Sequence, residues 1–180
     1  MEIFVIVALF LAVVFGLVFW SNKKNKEGMA AKLPLLAQLI QGQVFGDKIQ
    51  GTFQMIPVSG RVHGVQTDEE SFAKQYFWIA EMHVAGLPDF DLARTKQGQF
   101  WVQTVDQNLR ARLEAAGLIH VATQIPTVAQ GKGALFGRSG VLQLMLPIRN
   151  QAGVPTPEEF NQQLQILAHL AGLCHQAVAG

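Results

Sequence analysis

The sequence predicts an α+β protein, with one N-terminal transmembrane helix and a soluble domain whose mostly antiparallel sheet is packed by a long C-terminal helix. Three observations carry this. The 18 residues from Ile3 to Trp20 contain no charge and no strongly polar side chain. The middle of the chain alternates apolar and polar residues with the period of strands. Near the C-terminus, Thr156-Pro157-Glu158-Glu159 places Thr at the N-cap, Pro at the first helical position and Glu at the third, a capping box ahead of an apolar-periodic run.

The N-terminal run is read as residues 1–22, a retained membrane anchor. At about 1.5 Å per residue it spans roughly 27 Å, close to the hydrocarbon thickness of a bilayer. A cleaved signal peptide would need a basic n-region and a small-x-small site. Met1-Glu2 before the run and Trp20-Ser21-Asn22 after it offer neither. Residues 23–28 read as a polar juxtamembrane linker, and residues 29–180 as the soluble domain. Trp20 with Lys23, Lys24 and Lys26 marks the membrane interface. The lysine bias predicts the N-terminus outside and the domain in the cytoplasm, at a bacterial inner membrane. Ala8, Ala12 and Gly16 recur every fourth residue, a spacing that lets a second helix approach closely.

Within the domain, Met29 to Ile40 reads as a separate helix with Pro34 in its first turn and Gly42 as its stop. Ile49 to Ile56 and Val58 to Gln66 read as strands around Pro57 and Gly60, and Asp68 to Ser71 as a polar turn. Tyr76 to Val84 is the clearest strand, with Tyr76, Trp78, Ala80, Met82 and Val84 on one face. Asp89 to Arg94 is expected to return beside it as a hairpin, with Met82 opposite Leu92 and His83 opposite Asp91. Gln99 to Val105 is a further strand. Asp106 caps a helix from Gln107 to Ala116 that ends at Gly117. Val121 to Ala129 reads as an edge strand broken at Pro126, and Val141 to Ile148 as a buried strand. The last helix runs from Pro157 to about Val178, with Phe160, Leu164, Leu167, Ala171 and Cys174 inward.

Composition narrows the function. Residues 30–180 hold 11 Lys/Arg against 11 Asp/Glu. A neutral domain lacks the basic face that phosphate-driven nucleic-acid binding requires, so no nucleic acid is expected as a partner. With one cysteine, no intrachain disulfide forms.

Glu81, His83, Asp89 and Asp91 form the one polar cluster with chemical potential. A carboxylate beside an imidazole can raise its basicity, and the alternative is the solvated face of an amphipathic hairpin. The segment Gly131 to Gly140, with Lys132 and Arg138, is a candidate anion or lipid-headgroup loop. It lacks the Gly-Lys-Ser/Thr of a P-loop. Cys174 and His175 are adjacent on a helix and point about 100° apart, so they form no dyad. His169 and His175 lack the spacing of a helical zinc pair. Aromatics on both faces of the sheet, Phe77 and Trp101 among them, hint at a surface for a partner.

No cofactor or metal is expected. The class predicted first is a non-catalytic accessory or scaffold subunit at the membrane. Its partners are the bilayer and other membrane subunits, or a second copy through the small-residue stripe. The alternative is a membrane-tethered lipid or small-molecule binding domain with a cavity beneath the last helix. A hydrolase using His83 and Asp91 comes last.

Overall fold

A computed structural model describes residues 2–66 and 74–179; the side chains of residues 2–6, 8 and 9 lie outside that description. The fold is α+β, an eight-stranded antiparallel sheet covered on one face by helices.

The first helix, α1, runs unbroken from Glu2 to Leu39. Two expectations are corrected here. Residues 23–28 are helical rather than a linker, and Pro34 lies in the helix interior rather than in a first turn. The lysines, Glu27, Ala30 and Ala31 of this stretch are good helix formers, so polarity alone gave no reason for a break. Pro34 removes one backbone hydrogen bond, and it is tolerated on the exposed side. Among the described residues no helix is long and apolar enough to cross a membrane. The apolar run begins at Ile3, so part of it falls on side chains that are not described.

Two-residue turns join the first strands: β1 (Gln43–Phe45), β2 (Lys48–Phe53) and β3 (Ile56–Gln66). The expected break at Pro57 and Gly60 is not there. Gln54 and Met55 make the β2–β3 turn, both with positive φ (51° and 66°), the geometry a two-residue hairpin favours. Pro57 sits inside β3 opposite Thr52. The polar turn expected at 68–71 lies outside the described residues. β4 (Lys74–His83) follows, then β5 (Phe90–Arg94) and β6 (Phe100–Gln103).

Asp106 caps α2 (Gln107–Ala115), accepting from the N–H groups of Asn108 and Leu109. The segment expected as an edge strand is instead two short helices, α3 (Leu118–Ala122) and α4 (Pro126–Ala129). Pro126 starts a helix there, the position proline prefers. β7 (Ala134–Arg138) and β8 (Val141–Ile148) then form a hairpin. A 3-10 turn, Gln151–Gly153, leads to α5 (Pro157–Ala179). The capping box forms as expected: the Thr156 N–H donates to Glu159 Oε2 at 2.8 Å, and the Glu159 N–H donates to Thr156 Oγ1 at 3.2 Å.

Strand order is β1-β2-β3-β4-β8-β7-β5-β6. The expected β4–β5 hairpin is therefore wrong: β8 and β7 insert between the two strands. Met82 pairs with Val58 and Leu142 rather than Leu92, and His83 with Val141 rather than Asp91. The inner face was read correctly. Trp78, Ala80 and Met82 are fully buried, as are Leu142 and Leu144 beside them. α5 covers this face with Phe160, Leu164, Leu167, Leu170 and Cys174. Trp78 meets Phe160 edge-on at 5.5 Å and donates its indole N–H to Gln163. Gly60, beside Trp78 on β3, has no room for a side chain: a Cβ there would lie 2.5 Å from the indole.

The register defines two ends of the sheet. The start of β3, the end of β4 and the start of β8 lie at one, the far end. Gln66, Lys74, Tyr76 and Ile148 lie at the other, the near end. α1 docks across the sheet through Leu33, Leu36, Ala37 and Ile40, all 4% exposed or less. Its Ile40 carbonyl accepts from the Thr52 N–H toward the far end. Lys32 donates to the carbonyls of Ala152 and Val154, and Gly28 packs against Ala152. α1 thus leaves the domain at the near end, beside the 3-10 turn.

Candidate functional site

N-terminal to Asn25, α1 is not buried by the described residues of the domain. Every side chain from residue 10 to residue 24 is exposed. Phe10, Phe15, Phe19 and Trp20 are 68%, 70%, 74% and 61% exposed, with Leu11, Val13, Val14, Leu17 and Val18 between them. Successive helical residues step by about 100°, so these positions sample every side of the cylinder. A stripe of exposed apolar residues would suit one protein groove. An apolar surface on all sides suits a solvent that is itself apolar. Ala12 and Gly16 of the small-residue stripe lie in this segment, and a Cβ at Gly16 would meet nothing within 4 Å; the Ala8 side chain is outside the described residues.

The segment ends in a charged collar. Lys24 Nζ lies 5.1 Å from the Trp20 ring centre, and Lys23 approaches Glu27 at 3.9 Å. Lys26 turns toward the domain instead. With Asn22 it forms one wall of a groove of about 490 Å³ whose other wall is Lys74, Tyr76 and Gln151. Sequence reasoning found Lys26 but not the other wall, because Lys74 and Gln151 come from distant parts of the chain.

The polar cluster expected at Glu81, His83, Asp89 and Asp91 is divided by the topology. His83 is exposed on β4. Asp91, across β8 and β7, is held by Arg138, whose Nη2 donates to both carboxylate oxygens at 3.1 and 2.9 Å. Asp89 accepts from the Ser139 N–H at 2.9 Å and fastens the β7–β8 turn. The His83–Asp91 pair that a hydrolase reading needs is not formed.

Glu81 gains different partners. Its carboxylate accepts from Ser59 Oγ at 2.8 Å, Arg61 Nη2 at 3.2 Å and Gln143 Nε2 at 2.6 Å. Burial alone would raise its pKa. The Ser59 hydroxyl, the Arg61 charge and the Gln143 amide outweigh burial and hold it below the usual value. Three donors on one carboxylate leave little capacity for a substrate. Ser59, Arg61 and Gln143 were not singled out in the sequence. Their alternation with apolar neighbours on β3 and β8 was the signal available.

The glycine-rich segment is not one continuous loop. Ala134 to Arg138 is a strand, Leu135 is buried and Phe136 half-buried, and Arg138 is committed to Asp91. Gly137 is required by close approach, since a Cβ there would lie 2.6 Å from the Phe90 ring. The turn at Ser139 and Gly140 is at the far end, away from where α1 leaves the domain. Lys132 is exposed in the connection before β7.

The space beneath α5 is filled. The inward residues of the helix, from Phe160 to Cys174, are buried against the sheet. A cleft of about 300 Å³ opens at its flank between Ile125, Pro126, Leu146 and Ile166. Cys174 is part of this core, and burial pushes its thiol pKa up to about 12. It is therefore neutral and inert at physiological pH. Trp101 is not on a bare face, because Arg110 of α2 lies over its ring at 5.1 Å. Among the described residues no three His, Cys, Asp or Glu side chains come together as a metal site.

No family model matches this chain, and neither a curated protein nor a solved structure is similar enough to match it.

Proposed function

We propose that this protein is a single-pass, membrane-anchored accessory or scaffold subunit, with the N-terminal part of α1 in the bilayer and the α+β domain on the cytoplasmic side. One observation carries the reading: α1 is buried along one face where it crosses the sheet and is apolar and exposed on all sides from Phe10 to Trp20. No described residue of the domain covers that surface, and water is a poor solvent for it. The collar of Trp20, Lys23, Lys24 and Lys26 gives the interface and the orientation. The small-residue stripe through Ala12 and Gly16 is the surface offered to a helix of a partner subunit.

A non-catalytic role is supported by how the reactive groups are used. Glu81 is saturated by three donors, Asp91 is paired and Cys174 is buried. Each works for the fold.

The test is extraction of the tagged full chain from its native membrane in mild detergent, followed by native mass analysis. A stoichiometric partner, lost in Gly16→Ile, is the expected result. Full recovery in the soluble fraction before detergent is added would end the membrane reading. A clean monomer after extraction would end the accessory-subunit reading.

A further inference from the structure

We infer that the groove between α1 and the near end of the sheet binds the phosphate group of an anionic phospholipid. The inference rests on the membrane reading of α1 and names the ligand that reading left open. The groove is about 490 Å³ and is lined by Asn22, Lys26, Lys74, Tyr76 and Gln151. Lys26 and Lys74, from distant parts of the chain, line it together, and no carboxylate is among its described lining residues; Asp68, Glu69 and Glu70, just before Lys74 in sequence, lie outside the described residues. Among the described residues neither Lys26 nor Lys74 makes an ion pair, whereas Lys23 approaches Glu27. Two like charges facing one groove repel, and an anion between them removes that repulsion. The amides of Asn22 and Gln151 and the Tyr76 hydroxyl add donors of the kind that phosphate oxygens accept.

Position selects the source. Trp20 stands at the level where interfacial tryptophans sit. Lys26 is six residues further on, about 9 Å along the axis, and its stem can reach back toward the headgroups. The groove wall on the domain is the near end of the sheet, beside the point where α1 leaves it. The cytoplasmic leaflet is also the one that carries anionic lipid. A phosphodiester held here would touch both α1 and the domain.

The experiment uses the full chain in mild detergent, titrated separately with dimyristoyl-phosphatidylglycerol, dimyristoyl-phosphatidylcholine and inorganic phosphate, with bound species counted by native mass spectrometry. Flotation of the same protein on pure phosphatidylcholine vesicles tests the anchor without the groove. Expected are preferential phosphatidylglycerol adducts. They weaken roughly 30-fold in Lys26→Gln/Lys74→Gln, at about 1 kcal/mol per lysine, but much less in the Lys23→Gln/Lys24→Gln control of equal charge. All four lysines are exposed, so both variants should melt with the parent. Equal binding of the two lipids, or equal losses in the two variants, overturns the inference while flotation still reports on the anchor. Displacement of phosphatidylglycerol by millimolar inorganic phosphate would assign the groove to a soluble phosphate compound and overturn the lipid source.

Discussion

The two halves of α1 share one helical backbone and meet opposite surroundings. From Leu33 to Ile40 the buried residues Leu33, Leu36, Ala37 and Ile40 fall at i, i+3, i+4 and i+7, one stripe on the sheet, while Leu35 and Leu39 stay exposed beside it. From Phe10 to Trp20 apolar residues occupy every position but Gly16, and all are exposed. The difference shows what patterning encodes. A stripe specifies one neighbour on one side, and an apolar cylinder specifies a medium.

Charges in the exposed half should break the comparison most completely. Val14→Asp with Phe15→Asp places two carboxylates mid-segment, each costing about 2.5–3.5 kcal/mol for insertion. The protein is expected to move from the carbonate-resistant pellet to the supernatant while its domain melts unchanged. Persistence in the pellet would mean that the segment is held by something other than lipid.

Leu36→Ala in the docked half should do the reverse. It removes a fully buried side chain and is expected to lower domain stability by about 2–5 kcal/mol in denaturant unfolding, leaving the membrane fraction intact. Leu17→Ala, from the exposed half, should change that unfolding by less than about 0.5 kcal/mol. Equal effects would erase the distinction between the halves.

Glu81→Gln sharpens the comparison by testing sheet stability that owes nothing to α1. The folded pKa of Glu81 lies below its ordinary 4.5. Its stabilising contribution is therefore present above the unfolded pKa and is lost as pH falls through the folded one. The parent should lose stability on acidification below about 4.5, and the variant should lack that part of the slope. At neutral pH the variant should be weaker by about 1–3 kcal/mol, because Arg61 loses its ionic acceptor. A slope identical to the parent's would remove Glu81 from the account. A smaller loss than that of Glu81→Gln is expected for Thr156→Ala, which opens the α5 capping box and should lower stability by about 1 kcal/mol in thermal unfolding.

Local signals were the legible ones. The Thr156–Glu159 box and the Asp106 cap each act within four residues, and both form as read. The alternation of Trp78, Ala80 and Met82 fixed which face is buried but not which strand lies alongside. Leu92 and Leu142 offer the same alternation, and the choice of β8 over β5 is made by long-range pairing. In Gly131–Gly140, four glycines masked a five-residue strand. Three of them serve special needs, Gly137 beside Phe90 and Gly131 and Gly140 in turns with φ of 71° and 78°. α3 and α4, of five and four residues, are too short to show a helical period. The Glu81 cluster and the groove at Lys26 draw residues from separated segments, which no spacing rule joins.

The absence of any break in α1 between Trp20 and Leu33 has a geometric consequence. A disordered tether of six residues would let the domain wander over roughly 14 Å and face any direction. A helix across those 13 residues sets a stand-off of about 20 Å and also a compass bearing. With the exposed segment in a bilayer, a roll of α1 about its own axis turns the whole sheet by the same angle. Deleting one residue near Asn25 would swing the domain by about 100°, whereas deleting four would return it to within about 40° of its original bearing, some 6 Å closer to the surface.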